Sequence, residues 1–160
     1  MRLTIAELAV GQGVLGISPC PGRAGFYEAD LIAVRHWQPS LVVTFITYEE
    51  LERVGPRLGF DLEGADIAWA HLPTADYDTP GEGWDYISIV VHSELEDGHK
   101  VLLHCMGGCG RSGTAALRLM IEAGEGPEAA LNRLRKVRPC AVETPEQFLW
   151  ASQASNQPRP

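Results

Sequence analysis

The sequence predicts an α/β fold in which helices flank a mostly parallel central sheet. Apolar stretches typical of buried strands alternate along the chain with segments of helical periodicity, an order that builds parallel sheets. The most apolar stretch, Ser40 to Thr47, is rich in β-branched residues, as expected for a strand buried on both faces. Ala65 to Leu72 and Lys100 to His104 repeat the pattern more weakly and supply two further strands.

Five segments before, between and after these strands have the pattern of helices. They are Glu28 to His36, Glu49 to Leu58, Gly81 to Glu96, Arg111 to Glu122 and Pro127 to Val137. Thr79 and Thr144 are each followed by Pro, with Glu or Gln at the third position, which predicts two capped helix starts. In the predicted helix from Gly81 to Glu96, apolar residues share one face, which should cover the sheet. These residues are Trp84, Ile87, Val91 and Leu95.

The composition of the whole chain favours a single globular domain. The 160 residues suffice for one domain of ordinary size, and 45% of them are hydrophobic. No apolar run reaches the roughly 20 residues of a membrane-spanning helix, so no membrane association is expected. We expect the domain to cover residues 1–151 and a flexible tail to follow at 152–160, where polar residues and proline accumulate.

Charge and cysteine usage narrow the possible classes of function. A net charge of −8 argues against a nucleic-acid-binding protein, which would neutralise phosphates over a broad basic face. The first ten residues lack the basic region and cleavage-like site of a secretory signal, so we expect a cytoplasmic location. Four scattered cysteines favour reactive or buried thiols over a disulfide framework, in agreement with a reducing compartment.

The segment most informative about function is a glycine-rich turn after the third predicted strand. Nine consecutive residues lead from this strand into the next helix: His104, Cys105, Met106, Gly107, Gly108, Cys109, Gly110, Arg111 and Ser112. Glycines let the backbone curl so that successive amide hydrogens point at one centre, and the helix N-terminus adds partial positive charge there. The sequence therefore predicts an anion-binding loop in which residues 106–111 contact the bound group.

Within this loop, Cys105 and Arg111 are suited to attack and hold a phosphate ester. Donors that bind phosphate oxygens also stabilise a thiolate, so the sulfur should ionise below the ~8.5 of a free cysteine. Arg111 can present two parallel donors to two phosphate oxygens. The Ser112 hydroxyl can donate to the sulfur when it leaves. His104 is a candidate to orient the loop, although a purely structural role is equally expected.

The stretch from His104 to Ser112 resembles the signature of the protein tyrosine and dual-specificity phosphatase superfamily, which is His-Cys, five residues, Arg, then Ser or Thr. Its paired glycines are most similar to the kinase-associated dual-specificity subgroup. Further similar segments are Cys20 to Gly22, Val42 to Leu51, Pro73 to Pro80 and Ala141 to Gln147. The resemblance implies the cysteine-phosphatase fold, hydrolysis through a phosphocysteine intermediate, and neither a metal nor an organic cofactor.

The resemblance also implies a general acid on a separate loop. Asp76 is preferred, because it matches the family's Pro-x-x-Asp followed by Pro four residues later. Asp78 is the alternative, although its place near a predicted helix start also suits a cap. In related enzymes a glutamine helps to place the attacking water. Gln147 is the candidate here, but a helix cap alone would explain it, and Glu143 stands where the subgroup usually has Gln.

The loop also bears on the substrate and on rival functions. Its side chains between Cys105 and Arg111 are neutral, which favours a singly phosphorylated substrate. A phosphorylated protein or peptide is expected, carrying phosphotyrosine and also phosphoserine or phosphothreonine, with the preference among them left open. A sulfurtransferase is one alternative, although it does not need Ser112 paired with an upstream Asp76. A catalytically inactive phosphate-binding module is the other. Cys109 and Cys140 are candidate redox partners for a reactive Cys105.

Overall fold

A five-stranded sheet forms the centre of the computed structural model, which describes residues 3–154. The strands are β1 (Ala6–Val10), β2 (Gly13–Ser18), β3 (Leu41–Thr44), β4 (Ala68–His71) and β5 (Lys100–His104). Their spatial order is β1-β2-β5-β3-β4. The pair β1 and β2 is antiparallel, and the other three neighbouring pairs are parallel. The predicted α/β fold with a mostly parallel sheet is therefore confirmed.

Seven helices surround the sheet in the described part of the chain. They are α1 (Tyr27–Trp37), α2 (Tyr48–Val54), α3 (Leu58–Gly64), α4 (Trp84–Glu96), α5 (Gly110–Glu122), α6 (Pro127–Val137) and α7 (Pro145–Ser152). Each predicted helix has a counterpart, but the one expected from Glu49 to Leu58 is divided into α2 and α3. The break falls at Gly55 and Pro56, because glycine ends helices readily and proline cannot continue one.

The two predicted capped starts have different outcomes. Thr144 caps α7 as predicted, with its hydroxyl accepting from the amide of Gln147 in a complete capping box. The start predicted after Thr79 is wrong, since α4 begins only at Trp84, after Gly83 with φ of 99°. Two glycines in the expected first turn, Gly81 and Gly83, outweigh the local Thr-Pro signal because glycine disfavours helix. The apolar face predicted for this helix is nevertheless buried and contacts β2 and β5.

The strands β1 and β2 are absent from the sequence prediction. Glu7 interrupts the apolar pattern of the first, and β2 contains glycine at two of its six positions, which lowers its strand propensity. Gly16 is explained by packing, since a Cβ there would lie 2.6 Å from the ring of Trp37. The glycine in this strand is therefore required by a tertiary contact with Trp37, which the local sequence does not reveal.

One cluster of buried apolar side chains connects the sheet with its helices, as a single domain requires. The division into a domain at 1–151 and a tail at 152–160 stays a prediction. Ser152 ends α7, and residues 155–160 lie outside the described part of the chain. Between residues 3 and 154, no helix has both the length and the apolar character needed to cross a membrane.

The parallel strands bring four loops to one edge of the sheet. Thr44, the last residue of β3, pairs with His104 at the end of β5 and with His71 at the end of β4. Ser18, at the end of β2, pairs with His104 on the other side. Loops that leave the carboxyl ends of adjacent parallel strands form the usual binding crevice of open α/β sheets. The loops after β2, β3, β4 and β5 therefore meet here.

Candidate active site

The segment Cys105–Arg111, called the Cys105 loop below, leads from the end of β5 into the first turn of α5. The side chain of Cys105 is buried within it. Gly108 has a φ of 73°, and a Cβ at this position would lie 2.6 Å from the backbone of Ser18. Glycine is required here both for the backbone conformation and for the close approach of β2. The tight turn that the sequence predicts is therefore present.

The first turn of α5 brings the Ser112 hydroxyl to the sulfur of Cys105. The Oγ and Sγ atoms are 3.2 Å apart, and both residues are buried. The contact places a hydroxyl beside the sulfur, and either atom can be the donor.

Arg111 is held in one orientation by a carboxylate and a carbonyl. Its Nη1 donates to Glu50 Oε2 at 2.7 Å and to the carbonyl of Thr74 at 2.9 Å, and its Nη2 donates to Glu50 Oε1 at 3.1 Å. A guanidinium has five N–H groups. These contacts use three of them, which leaves the Nε hydrogen and one Nη2 hydrogen as a pair of donors for two oxygens of a bound anion.

Glu50 is the functional residue that the sequence prediction missed. Its Oε2 also accepts from the amide of Thr47, and its own amide donates to the Thr47 hydroxyl, so a capping box fixes the carboxylate at the start of α2. The hydrogen bond from Arg111 is the main reason that the pKa of Glu50 falls to about 2. The Thr-x-x-Glu pattern at residues 47–50 is visible in the sequence. Only the pairing of β3 with β5 shows that it faces Arg111.

The loop after β4 places Asp76 at the rim of the site. Its Oδ1 lies 3.7 Å from Nη2 of Arg111, and its side chain is 60% exposed. Both Asp76 and the alternative carboxylate, Asp78, accept from the amide of the next residue, Tyr77 and Thr79 respectively. Of the two candidates for the general acid, Asp76 is the one that has an ion-pair distance to Arg111.

His104 is buried and connects the Cys105 loop to β3 and β4. Trp69 Nε1 donates to the Thr44 hydroxyl at 2.8 Å, and this hydroxyl lies 2.6 Å from His104 Nε2. The hydroxyl therefore donates to Nε2, and the Nδ1 hydrogen of His104 donates to the carbonyl of Cys105 at 3.1 Å. Burial lowers the pKa of His104 to about 4, which keeps this ring neutral. Its geometry is that of a residue that orients the loop, and Thr44 and Trp69 were not predicted as its partners.

Gln147 caps α7 and also touches the acid loop. Its Oε1 accepts from the amides of Glu143 and Thr144, and its Nε2 donates to the carbonyl of Asp78 at 3.2 Å. A Cβ on Gly110 would lie 3.2 Å from this Nε2 and would collide with Glu143 Oε1. The amide and the carboxylate therefore both lie beside the Cys105 loop, where a water-positioning group would be needed.

The cysteines correct two sequence-based expectations. Cys109 and Cys140 form a disulfide with a Cα–Cα distance of 5.2 Å, although no disulfide was expected, and neither thiol is free to bridge Cys105. Their separation of 31 residues hides a proximity that the turn after α6 creates. Cys20 and Cys105 are free and buried. The amide of Cys20 donates to the carbonyl of Met106, and burial raises the pKa of the Cys20 thiol to about 12.

One group of potential metal ligands exists among the described residues, and it lies outside this site. Glu94, Asp97 and His99 cluster at the end of α4, on the surface of the protein. The side chains around the Cys105 loop instead offer a thiol, an oriented guanidinium and a carboxyl group at one edge of the sheet. This set can transfer a phosphoryl group to sulfur and then to water.

Comparison with known protein families identifies the same region. The profile of the family Tc-R-P, described as a DSP-PTPase phosphatase of polymorphic toxin systems, matches residues 34–125. The mouse protein "Cyclin-dependent kinase inhibitor 3" is 34% identical over 112 residues, which cover 67% of this chain and 53% of that protein. The chain thus spans about half the length of this relative.

Solved structures of phosphatases share the whole fold. Kinase-associated phosphatase, with its catalytic cysteine replaced by serine, superposes with a TM-score of 0.84 at 25% identity, covering 94% of this chain and 93% of the other. Tk-PTP in its active form gives a TM-score of 0.73 at 30% identity and covers 92% and 95% of the two chains. These matches confirm the predicted resemblance to the dual-specificity superfamily, with the kinase-associated phosphatase among its relatives.

Proposed function

This chain belongs to the DSP-PTPase phosphatase family, and we propose that it is a cysteine-dependent phosphatase that hydrolyses phosphate monoesters through a phosphocysteine intermediate. One observation carries the proposal. The Cys105 sulfur lies 3.2 Å from the Ser112 hydroxyl in a loop that ends at Arg111, and Glu50 holds that guanidinium with two donors left free. The Cys105 loop thus supplies a nucleophile and an anion-binding guanidinium, and Glu50 orients that guanidinium.

In the first step, the Cys105 thiolate attacks phosphorus, the sulfur–phosphorus bond forms and the bond to the ester oxygen breaks. Loop amides and the two free hydrogens of Arg111 stabilise the charge on the transferring oxygens. Asp76, at the rim beside Arg111, gives its proton to the departing oxygen, which leaves as an alcohol or phenol. Residues 106–110 contribute the backbone that surrounds the phosphoryl group.

In the second step, water attacks the phosphocysteine and the sulfur leaves. Asp76, now ionised, takes a proton from this water, and the Ser112 hydroxyl donates to the departing sulfur. Gln147 is the proposed water-positioning residue, supported by its Nε2 lying beside Gly110 and the acid loop. Free phosphate and the starting enzyme result, and neither step as proposed uses a metal or an organic cofactor.

We propose a phosphorylated protein or peptide as substrate, carrying phosphotyrosine and also phosphoserine or phosphothreonine. The neutral side chains between Cys105 and Arg111 support a singly phosphorylated group, since they add no cation for further phosphates. Relatives named for kinases, the kinase-associated phosphatase among them, support a protein substrate. The net charge of −8 argues against nucleic acid as a partner, because binding it needs cations that neutralise phosphates.

A cytoplasmic location is part of the proposal. A catalytic thiol works only when it is reduced, and the cytosol maintains thiols in that state. The Cys109–Cys140 disulfide is an observation that favours an oxidising compartment instead. Fractionation of acid-quenched, alkylated cells followed by mass spectrometry measures, in each fraction, whether Cys105 is free and whether the disulfide is closed. A free Cys105 in the soluble cytosolic fraction is expected, and recovery only from an exported fraction would contradict the location.

The test of the function is phosphate release from a panel of phosphopeptides by wild-type protein and Cys105→Ser. We expect the variant to lose at least about 1,000-fold in turnover while it still binds phosphopeptide, because the nucleophile is gone and the anion site remains. Cys20→Ser removes the other free buried thiol and is the matched control, with activity retained.

The two alternatives give different results in the same assay. Thiosulfate turnover without phosphate release would identify a sulfurtransferase. Tight phosphopeptide binding with no phosphate release from the wild type would identify an inactive binding module. Neither is favoured here, since the Asp76 carboxylate near Arg111 and the Ser112 hydroxyl beside Cys105 support a two-step phosphatase.

A further inference from the structure

The Cys105 loop is held from outside by an arginine that follows α6. Arg138 Nε donates to the carbonyl of Gly108, and Arg138 Nη2 donates to the carbonyl of Gly107, both at 2.8 Å. The arginine thus binds two successive carbonyls of the segment that must surround a bound anion. Such a fork-shaped pair of donors is a geometry that lysine cannot reproduce.

Fixing these carbonyls also fixes the amide hydrogens on the opposite side of the same peptide units. In a trans peptide the C=O and N–H bonds point in opposite directions, and no cis peptide occurs in the described chain. When Arg138 holds the carbonyls of Gly107 and Gly108 outward, the amides of Gly108 and Cys109 face inward. Glycine peptides rotate easily, so this orientation needs an external restraint.

A disulfide ties the segment that carries Arg138 to the same loop. Cys140, two residues after Arg138, is bonded to Cys109, and the amide of Val142 donates to the carbonyl of Cys109 at 3.2 Å. Val142 has a φ of 66°, which is strained for a β-branched residue and persists only where neighbours hold it. Arg135 provides part of that restraint by donating to the carbonyls of Ala141 and Val142.

We propose that Arg138 is a positioning residue for the phosphate-binding amides of the Cys105 loop, and that the Cys109–Cys140 disulfide keeps it in place. Reductive opening of this disulfide then weakens phosphate binding and slows phosphoryl transfer. This inference rests on the proposed phosphatase function and adds a redox control to the same site. Oxidation usually inactivates a cysteine-dependent enzyme, whereas here the oxidised form of one cysteine pair supports catalysis.

The redox step is a thiol–disulfide exchange with a dithiol. One thiolate of the dithiol attacks the sulfur of Cys140, which is in an exposed residue, and Cys109 leaves as a thiolate. The second thiol of the reductant then closes a disulfide within the reductant and releases Cys140. Two electrons and two protons pass to the protein, and the dithiol becomes a cyclic disulfide.

The arginine is tested by comparing Arg138→Gln and Arg138→Lys with wild type. We expect Arg138→Gln to lower kcat/KM for p-nitrophenyl phosphate by about 10-fold and to raise the Kd for inorganic phosphate in parallel, because preorganised donors are lost. Arg138→Lys should recover little of either quantity, since it keeps the charge but not the fork. Full recovery by lysine would show that charge alone matters and would overturn the positioning role.

Arg133→Gln is the matched control. Arg133 lies on α6, pairs with Glu125 and donates to the carbonyl of Ala9, so it shares the chemistry of Arg138 without touching the Cys105 loop. We expect its kcat/KM and phosphate Kd to equal those of wild type even if its Tm falls. Equal losses of activity in Arg133→Gln and Arg138→Gln would indicate a general loss of stability and would contradict the inference.

The disulfide is tested with Cys140→Ser, which avoids the effect of a reductant on Cys105. Wild type is first shown by thiol titration to have the bridge closed and Cys105 free. We expect Cys140→Ser, and wild type reduced by dithiothreitol, to lose roughly fivefold in kcat/KM and in phosphate affinity, equal to about 1 kcal/mol. Unchanged or higher values on opening the bridge would overturn the redox part.

Inorganic phosphate binding separates failure of this inference from failure of the proposed function. If the wild type releases no phosphate from any ester, the proposed function is wrong, but the Kd for phosphate still measures the effect of Arg138. The wild type can instead be active while kcat/KM and the phosphate Kd are both unchanged in Arg138→Gln and Cys140→Ser. In that case the positioning role of Arg138 and the disulfide is refuted, and the proposed phosphatase function is retained.

Discussion

Arg111 has its orientation set by Glu50 before any substrate binds, and this contact is open to a direct test. Gln in place of Glu50 keeps one acceptor and the size of the side chain but loses the paired carboxylate. We expect Glu50→Gln to lower kcat/KM by about 10-fold, because the guanidinium is no longer preorganised. Measurement of kcat and KM with p-nitrophenyl phosphate checks this expectation.

The control for this variant is Glu49→Gln, which removes a neighbouring exposed carboxylate from the same helical turn. It should leave kcat/KM unchanged. Since the pKa of Glu50 is about 2, this group stays ionised at ordinary assay pH, and its loss should not move the limbs of the pH profile. Equal activity of Glu50→Gln and wild type would show that Arg111 is oriented by other groups.

Asp76 is expected to matter in proportion to how poor the leaving group is. A phenol with a nitro group departs without help, whereas an alkyl oxygen needs a proton from a general acid. We expect Asp76→Ala to reduce kcat/KM for a phosphoserine peptide by about 100-fold and to affect p-nitrophenyl phosphate much less. The ratio of the kcat/KM values for the two substrates measures the contribution of the general acid independently of the amount of active protein.

Asp78→Ala is the matched variant for Asp76→Ala. Its carboxylate accepts from the amide of the next residue, as that of Asp76 does, so its loss should lower stability by a similarly small amount and leave the ratio of the two kcat/KM values near that of wild type. If Asp78→Ala changes the ratio and Asp76→Ala does not, the assignment of the acid is reversed.

The residues of the site differ in how far sequence alone could predict them. Cys105, Arg111 and Ser112 lie in one contiguous motif whose spacing already specifies a loop between strand and helix. Thr44 and Trp69 lie on other strands and Glu50 lies in the helix that follows β3, and only the order of the strands in the sheet brings them to the loop. Local patterns encode a turn or a cap, whereas partners across a sheet depend on register.

At the scale of whole elements, the same distinction explains which predictions were right. The capping box at Thr144 was predicted correctly because all its hydrogen bonds are local to α7. Strand β2 was not predicted because it contains two glycines, of which Gly16 fits against Trp37, a residue of α1, and Gly13 against His99 and Leu95. The disulfide between Cys109 and Cys140 was not expected because it joins the start of α5 to the turn after α6. Non-local packing thus accounts for most of what was missed.

A buried carboxylate joins α4 to α5 and gives an element-scale prediction. Glu122 accepts hydrogen bonds from four side chains: Trp84, Ser88, His92 and Arg118. Burial alone would raise its pKa, but these hydrogen bonds outweigh that effect and lower the pKa of Glu122 to about 2. The folded state therefore binds the proton of this group less tightly than the unfolded state, in which the pKa is near 4.5.

The stabilisation from Glu122 should be fully present above pH 4.5 and should be lost as the pH falls from 4.5 toward 2. We expect Glu122→Gln to lower the free energy of unfolding by roughly 2 to 3 kcal/mol at neutral pH, with a smaller difference from wild type at low pH. Urea denaturation over this pH range measures the difference. Glu96→Gln, an exposed carboxylate at the end of α4, is the control and should change little.

At the scale of the molecule, sheet topology and net charge act on the substrate in different ways. The order β1-β2-β5-β3-β4 brings the loops after four parallel strands to one edge, which concentrates donors at the Cys105 loop. The remainder of the chain carries an excess of acidic residues and a net charge of −8. Short-range contacts therefore attract a phosphate, while the long-range field repels anions.

Because the long-range field repels anions, kcat/KM should depend on the charge of the residues that flank the phosphorylated one. At low salt the field extends over about 30 Å, and at physiological ionic strength over about 8 Å. We expect a phosphotyrosine peptide with lysine flanks to exceed its aspartate-flanked counterpart in kcat/KM by about 10-fold at low salt, because an acidic protein attracts the first and repels the second. Stopped-flow or steady-state assays at two ionic strengths measure both values.

Added salt should reduce kcat/KM for the lysine-flanked peptide and increase it for the aspartate-flanked one, so the two values converge. A phosphotyrosine peptide with serine flanks is the control for direct effects of salt on the phosphate site. If the preference for lysine flanks persists unchanged at high salt, it comes from specific contacts at the rim. Screening distinguishes the two origins because it weakens a field across solvent far more than a contact that excludes water.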